Sequence, residues 1–471
     1  MPSPHKSLVL CFDGTWNNLK SNTNVARIYS EIADVSTGNS DQRKFYDEGV
    51  GTQRYDRVRG GAFGHGLDEN IRLGYAWLAS VYEADEADAS AGPTAHVATD
   101  QPRIVPRAPI AGAQRKQNGD LVDTPIHSSG RAFLTGSDIY LLGFSRGAFT
   151  ARSLGGMINY LGIAAIKPER DPKRATLADH PVVKSAWQLY AARPTQTERK
   201  KFAEGTASAA DAARIAQHDK NVAEFRSAGR FPVRLHFLGV WDTVGALGIP
   251  KMLDYDWVPR FSSQYQFHDT SLCECVRNAF HALGIDEQRL PYKATLWTAA
   301  TRTTESVEQR WFPGAHADVG GGYEDALLPA PPLAWLARQA VACGLEFVND
   351  RRIAQANGTI PGSIRQVPAR FDLDGSEYLS PVHDSYAEFM GGTYRVMRSI
   401  PGMGGRVYRR MLVQSDGINQ QVDETAFAKW RADVEYRPPN LGQAGRTDVT
   451  FNVARDDEGI AMLDGPLGAG G

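Results

Sequence analysis

The sequence predicts an α/β fold, a mostly parallel sheet with helices on both faces. Short, nearly continuous apolar runs recur at Ser7–Phe12, Asp138–Phe144, Val233–Trp241 and Thr295–Thr301. The first three run straight into loop residues: Asp13-Gly14-Thr15, Ser145 and Asp242. Between the runs lie longer stretches with apolar residues three and four apart. Strands apolar along their whole length need cover on both faces, which marks a parallel sheet.

The elements follow in order. The opening MPSPHKSLVLCFDGTWNN has no basic stretch, long apolar core or small-residue cleavage site, so its SLVLCF run reads as a first strand and not as a secretory signal. Asn70–Tyr82 carries a helical pattern. Residues 83–131, rich in Ala, Pro, Asp, Gln and Gly, have no sustained period and read as a loop insertion. A strand over Asp138–Phe144 and a helix over Ala148–Leu161 follow. Residues 167–230 are charged, Ala-rich and helically patterned, and are expected to form a helical insertion or a cap over a pocket. Pro332–Ala342 is another crossover helix.

A chain of 471 residues exceeds the usual size of one core. The expected division is a catalytic domain over 1–350 and a C-terminal region over 351–471. In the latter, aromatic, Arg and Gly residues mix at Tyr394–Leu412 (YRVMRSIPGMGGRVYRRML), as in an anionic or lipid-contact surface or in solvated arginines flanking a turn.

Fifty-two basic residues balance 54 acidic ones, which gives no electrostatic footprint for nucleic acid. The four cysteines are too few and too scattered for a disulfide framework, and Cys273-x-Cys275 has no second pair at zinc spacing, so buried thiols are expected. No run of about 18 apolar residues occurs, so no membrane-spanning helix is expected. The expectation is cytoplasmic synthesis as a soluble chain, with any export by a route other than a signal peptide.

Gly143-Phe144-Ser145-Arg146-Gly147 fits the G-x-S-x-G elbow, in which a serine stands on a sharp turn between strand and helix. A serine hydroxyl is a weak nucleophile and needs a base held by a third group. In this architecture the chain order is Ser, then Asp or Glu, then His. Asp242 follows an apolar strand in RLHFLGVWDTV; otherwise it caps a turn. His316 lies in the glycine-rich QRWFPGAHADVGGGY, and among eleven histidines its rival as base is His383 in SPVHDS. His236 sits inside a strand and reads as packed, while Asp318 reads as a ligand of loop backbone. Ester cleavage puts charge on a carbonyl oxygen, so two backbone N–H groups must converge there. Arg146 supplies one candidate, and Gly14 or Thr15 of DGTWN the other, unless DGTWN is a plain Asp-Gly turn. A phosphate loop at Gly60–Gly66 lacks a leading strand, and a metal gathered by Asp13, Asp242 and Asp318 has no argument from spacing. No cofactor is implied.

LCFDGTWNN, Asn24-Val25-Ala26-Arg27, YDEGVGT, IYLLGFSRGAFTARSLGGMI, FLGVWDTVGALG, HALGIDEQR and WFPGAHADVGGGY together resemble the catalytic domain of type VI secretion phospholipase effectors, the first lipase-effector class. The blocks run over roughly residues 6–350. The resemblance implies an α/β-hydrolase-like fold, here with insertions and a C-terminal extension, and a Ser–Asp–His hydrolase with its roles on Ser145, Asp242 and His316. It implies a phospholipase of A type acting on glycerophospholipid esters, with peripheral membrane contact, export to a target-cell periplasm, and secretion-spike and immunity proteins as partners. The alternatives are a soluble carboxylesterase and a non-catalytic interaction module on the same fold.

Overall fold

The computed structural model describes residues 6–34, 37, 41–49, 65–83, 133–134, 136–166, 177–245, 272–289, 292–301, 303–348, 363–364, 366–388, 410, 412, 417–441, 450–455 and 459–464. Its strands are β1 (Ser7–Phe12), β2 (Gln42–Asp47), β3 (Asp138–Phe144), β4 (Leu235–Trp241), β5 (Val276–Gly284), β6 (Ser306–Phe312), β7 (Phe347–Val348), β8 (Ser363–Ile364), β9 (Gln420–Asp423), β10 (Thr450–Arg455) and β11 (Gly459–Asp464). Nine of them form one sheet in the order β11-β10-β9-β6-β5-β4-β3-β1-β2, and β7 and β8 pair separately. Every neighbouring pair in the large sheet is parallel except β10 and β11.

The two-residue period of a strand explains the two-faced cover. Leu8, Leu10 and Phe12 of β1 pack with Leu67, Ile71, Leu154 and Ile158, from the helices His65–Val81 and Arg146–Leu161. Val9 and Cys11 point the other way, into a core with Val25, Ile28, Leu333 and Trp335 from the helices Asn24–Glu31 and Ala330–Ala342. The α/β class expected from the apolar runs is the observed one.

One reading needs correction. Thr295–Thr301 joins no strand ladder: the Gln309 carboxamide takes the place of a neighbouring strand, accepting from Trp297 N at 2.8 Å and donating to Trp297 O at 3.0 Å. The next strand is instead Val276–Gly284, whose Asn, His and Ala residues hide its period. The described part of the 167–230 segment forms the expected helices. Pro181–Ala191, Gln196–Ala203 and Ala209–Ala228 lie against the far end of the Arg146–Leu161 helix, where Arg226 donates to Tyr160 O at 2.8 Å and Ile163 bridges Arg230. Residues 84–131, the expected loop insertion, lie outside the described residues.

Beyond residue 350, β9 joins β6 and continues the sheet. Leu412, Val422, Phe427, Tyr436 and Leu441 share a buried cluster with Leu283, Ile285 and Trp311 of the β5 and β6 region. Of Tyr394–Leu412 the described residues are Arg410 and Leu412, and both are buried, which contradicts a solvent- or lipid-facing role for those two.

Candidate active site

β2 and β3 flank β1 on opposite sides, so the sheet's winding reverses between β1 and β3. In open parallel sheets a crevice forms at such a point, outside the carboxyl ends of the strands. The register brings those ends level: Phe12 pairs Gly143, Phe144 pairs Trp241, Trp241 pairs Ala282 and Gly284 pairs Phe312. The residues that follow, Asp13–Thr15, Ser145, Asp242 and Gly314–His316, are therefore delivered to one edge.

Ser145 sits between β3 and its helix at φ 58° and ψ −119°, a strained conformation for a residue with a side chain. The chain can turn there because its flanking positions are glycines. A Cβ on Gly143 would lie 2.5 Å from Gly147 O, and one on Gly147 would lie 2.1 Å from Phe12 O. Strand, turn and helix meet backbone to backbone, which gives G-x-S-x-G its physical reason.

The structure brings Ser145, His316 and Asp242 together. His316 Nε2 lies 2.8 Å from Ser145 Oγ, and His316 Nδ1 lies 2.5 Å from Asp242 Oδ2. All three are buried, and the imidazole is flanked by Phe144 and Tyr292 with ring centroids at 4.7 and 4.9 Å. Asp242, also at positive φ (40°), accepts from Gly284 N at 3.0 Å. Burial opposes its ionisation, but the Arg410 guanidinium and the His316 bond outweigh that and hold its carboxyl below the usual range. Burial pulls the His316 imidazole below its ordinary value, against the pull of Asp242. In this geometry the imidazole can take the serine proton while the carboxylate steadies the resulting charge.

His383 does not reach Ser145's imidazole chain. Its Nδ1 lies 2.6 Å from Asp318 Oδ1, and its ring stacks on Tyr323. Asp318 also accepts from the backbone N–H groups of Ala315 and His383, which is the loop-binding role read from the sequence. His236 is packed as expected, with Nε2 2.8 Å from Cys343 O. Among the described residues no group of three or more His, Cys, Asp or Glu side chains stands at metal-binding spacing. Cys11, Cys275 and Cys343 are buried thiols, and Cys273 is partly buried.

The DGTWN loop lies against the nucleophile elbow: a Cβ on Gly14 would stand 3.3 Å from Ser145 Cβ. Asp13 holds the loop. Its carboxylate accepts from Gly14 N at 2.7 Å and from the Thr23 and Tyr46 hydroxyls at 2.6 Å each. The Gly14 N–H is thereby engaged, which narrows the expected oxyanion donors in this loop to Thr15, whose buried Oγ1 has no hydrogen-bond partner. Arg146 opens the helix, where the first N–H groups have no intrahelical acceptor.

Several supporting residues escaped the sequence reading. Glu287 accepts His316 N at 3.2 Å and forks with Arg289 Nε at 2.8 Å and Nη2 at 2.6 Å. Asp286 accepts Gly314 N at 2.7 Å. The HALGIDEQR block thus clamps the histidine loop. His281 Nε2 accepts Thr243 N at 3.1 Å behind Asp242, an acceptor role that requires a neutral ring, and burial depresses its pKa to about 3. Arg410, from beyond the recognisable blocks, forks onto Asp242.

A doubly wound parallel sheet bearing a strained serine at a strand-to-helix turn defines an α/β-hydrolase-like protein. Residues 6–339 match the family model described as T6SS, Phospholipase effector Tle1-like, catalytic domain, and the chain belongs to that family. The uncharacterized protein YEL023C of Saccharomyces cerevisiae is 24% identical over 307 residues, covering 63% of this chain and 34% of its own length. A crystal structure of an uncharacterized protein from Pseudomonas aeruginosa aligns with 78% of this chain and 48% of its own at 17% identity and TM-score 0.36. The Tle1 effector bound to the VgrG spike of the type 6 secretion system aligns with 69% of this chain and 52% of its own at 15% identity and TM-score 0.29. The chain thus spans about a third to a half of the length of these proteins.

Proposed function

We propose that the protein is a serine hydrolase of lipid carboxylic esters, a phospholipase of A type working through an acyl-enzyme. The observation that carries this reading is the hydrogen-bonded chain from Ser145 Oγ through His316 to Asp242. His316 takes the proton of Ser145 as its oxygen attacks the acyl carbonyl, then returns it to the leaving alcohol. Asp242 fixes the tautomer with the proton on Nδ1 and stabilises the imidazolium. The carbonyl oxygen draws on the Arg146 N–H at the helix start and on Thr15 in the loop beside Gly14. Water then releases the fatty acid.

A lipid substrate is supported by family membership and by the surface around the site. Among the described residues six large apolar side chains are exposed, and Trp16, Leu19, Leu327 and Leu379 are four of them. Trp16 and Leu19 follow β1, and Leu327 follows the His316 turn. Leu379 is tied to that loop through Ser380 Oγ, which donates to Asp325 at 2.6 Å. Asn22 joins the two loops by donating to Tyr323 O at 3.2 Å. Such an apolar rim suits contact with a bilayer. Among the described residues no helix is long and apolar enough to cross a membrane. Export by a type VI secretion spike to a target-cell periplasm, with an immunity protein as antagonist, completes the reading.

The test is product analysis on vesicles of one defined phosphatidylethanolamine. Wild type should release fatty acid and lysophospholipid, and Ser145→Ala should release neither. Activity confined to soluble p-nitrophenyl esters would replace the phospholipase by a carboxylesterase. No turnover of either substrate would leave an interaction module.

A further inference from the structure

Arg410 stands outside the matched residues 6–339, yet it reaches the centre of the site. Its side chain is 1% exposed. Nη1 donates to Asp242 Oδ1 at 2.5 Å and to Gly284 O at 2.7 Å, while Nη2 donates to Asp242 Oδ2 at 2.8 Å and to Tyr292 O at 2.6 Å. One planar fork therefore holds both carboxylate oxygens, Oδ2 being shared with the imidazole, together with the backbone of the residue whose ring flanks that imidazole. Two positions on, Leu412 lies in the buried cluster that joins β9 and its following helix to β5 and β6.

We propose that Arg410 is a positioning residue of the hydrolase, supplied by the C-terminal region, which fixes the rotamer of Asp242 and keeps it ionised against its own burial. The proposal rests on the hydrolase reading above. Without Arg410 the wholly buried carboxylate would keep only the Gly284 N–H and a neutral imidazole, which favours its protonated form, and a protonated Asp242 carries no charge to stabilise the imidazolium. A second acceptor-only or apolar neighbour would not prevent this; a guanidinium with two parallel N–H bonds does.

The other groups facing this pair do not substitute for Arg410. Asp242 faces His316, the uncharged backbone N–H of Gly284 and, behind it, neutral His281. His316 faces Glu287 and Arg289, which are paired with each other, and Tyr292. Removing Arg410 takes away the positive charge bonded to Asp242. The Asp242 pKa then rises, so the pH below which activity is lost rises too.

The experiment compares wild type, Arg410→Gln, Arg410→Lys and Ser145→Ala on a soluble p-nitrophenyl ester, with circular dichroism to verify folding and fluorophosphonate titration to count competent sites. For Arg410→Gln the acid limb of kcat/KM should move up by about one pH unit, and kcat per competent site should fall about 100-fold with KM little changed. Arg410→Lys keeps the charge but loses the fork, so its limb should stay near the wild-type position while kcat falls at least about tenfold. A folded Arg410→Gln whose limb and kcat match wild type overturns the proposal. Should Arg410→Gln not fold, Arg410→Lys decides alone, and an unchanged kcat overturns it. Ser145→Ala separates the two levels: if it keeps full activity the hydrolase reading fails, whereas an inactive Ser145→Ala beside an unaltered Arg410 variant refutes only the role of Arg410.

Discussion

Glu287 Oε2 accepts the backbone N–H of His316 at 3.2 Å, so the loop that carries the imidazole is held by a carboxylate from the end of the neighbouring strand. The same carboxylate is forked by Arg289, and both side chains are buried. Glu287→Gln leaves the guanidinium without a counter-charge. A stability loss of about 3–5 kcal/mol is expected from breaking one side of a buried pair. Urea unfolding measures it, and a midpoint equal to wild type would show that the pair holds nothing in place.

The pH dependence of activity follows from His316. The base must be neutral to accept the serine proton, and burial sets its pKa below the ordinary value. The acid limb of kcat/KM is therefore expected below the free-imidazole value of about 6.5. The folded state holds this proton less tightly than the unfolded state. The imidazole's contribution to stability is accordingly complete above the unfolded pKa and declines as pH falls from there through the folded pKa. A rate profile with its acid limb above the free-imidazole value would contradict the burial argument.

Close packing at the elbow gives a third expectation. A methyl group at position 147 would meet Phe12 O at 2.1 Å and Asp13 O at 2.6 Å, both backbone atoms. Gly147→Ala must push the helix start away from β1, at a cost of about 1–3 kcal/mol. Because Ser145 precedes that helix, kcat should fall as well. A thermal melt and an ester assay on the same variant check both, and a variant indistinguishable from wild type in each would refute the packing argument.

The pattern of these contacts explains what the sequence could reveal. Ser145, Asp242 and His316 were legible because each follows a strand end within a short, glycine-marked or apolar stretch, and because the chain order of such groups is fixed by the winding of the sheet. Glu287 and Arg410 act through buried ion pairs between residues distant in sequence or hidden in loops, and no periodicity encodes such a pairing. Strand β5 was missed because its Asn278 and His281 interrupt the apolar run; Asn278 donates to His236 O at 2.9 Å and His281 accepts from Thr243 N. Thr295–Thr301 reads as a strand from its residue types alone, and only the Gln309 side chain, which occupies the place of a ladder, reveals otherwise. The aromatic and basic residues of Tyr394–Leu412 suggest a surface, yet the guanidinium of Arg410 is buried against a carboxylate.

The apolar rim makes a fourth prediction. Trp16 is 53% exposed beside the loop that carries Thr15. If it enters a bilayer, burying the remaining face contributes about 1–2 kcal/mol. Trp16→Ala should then lower hydrolysis of phospholipid vesicles about tenfold, with turnover of a soluble p-nitrophenyl ester held within about twofold. Equal losses on both substrates would place Trp16 in the chemistry and remove the rim as a docking surface.

The central claim is that Ser145 is a nucleophile activated by His316. It is tested most directly by mapping a fluorophosphonate adduct by peptide mass spectrometry in wild type, Ser145→Ala and His316→Ala. The account predicts one adduct, on Ser145, absent from Ser145→Ala and greatly slowed in His316→Ala. An adduct on another serine, or labelling of Ser145 at the wild-type rate without His316, would contradict it.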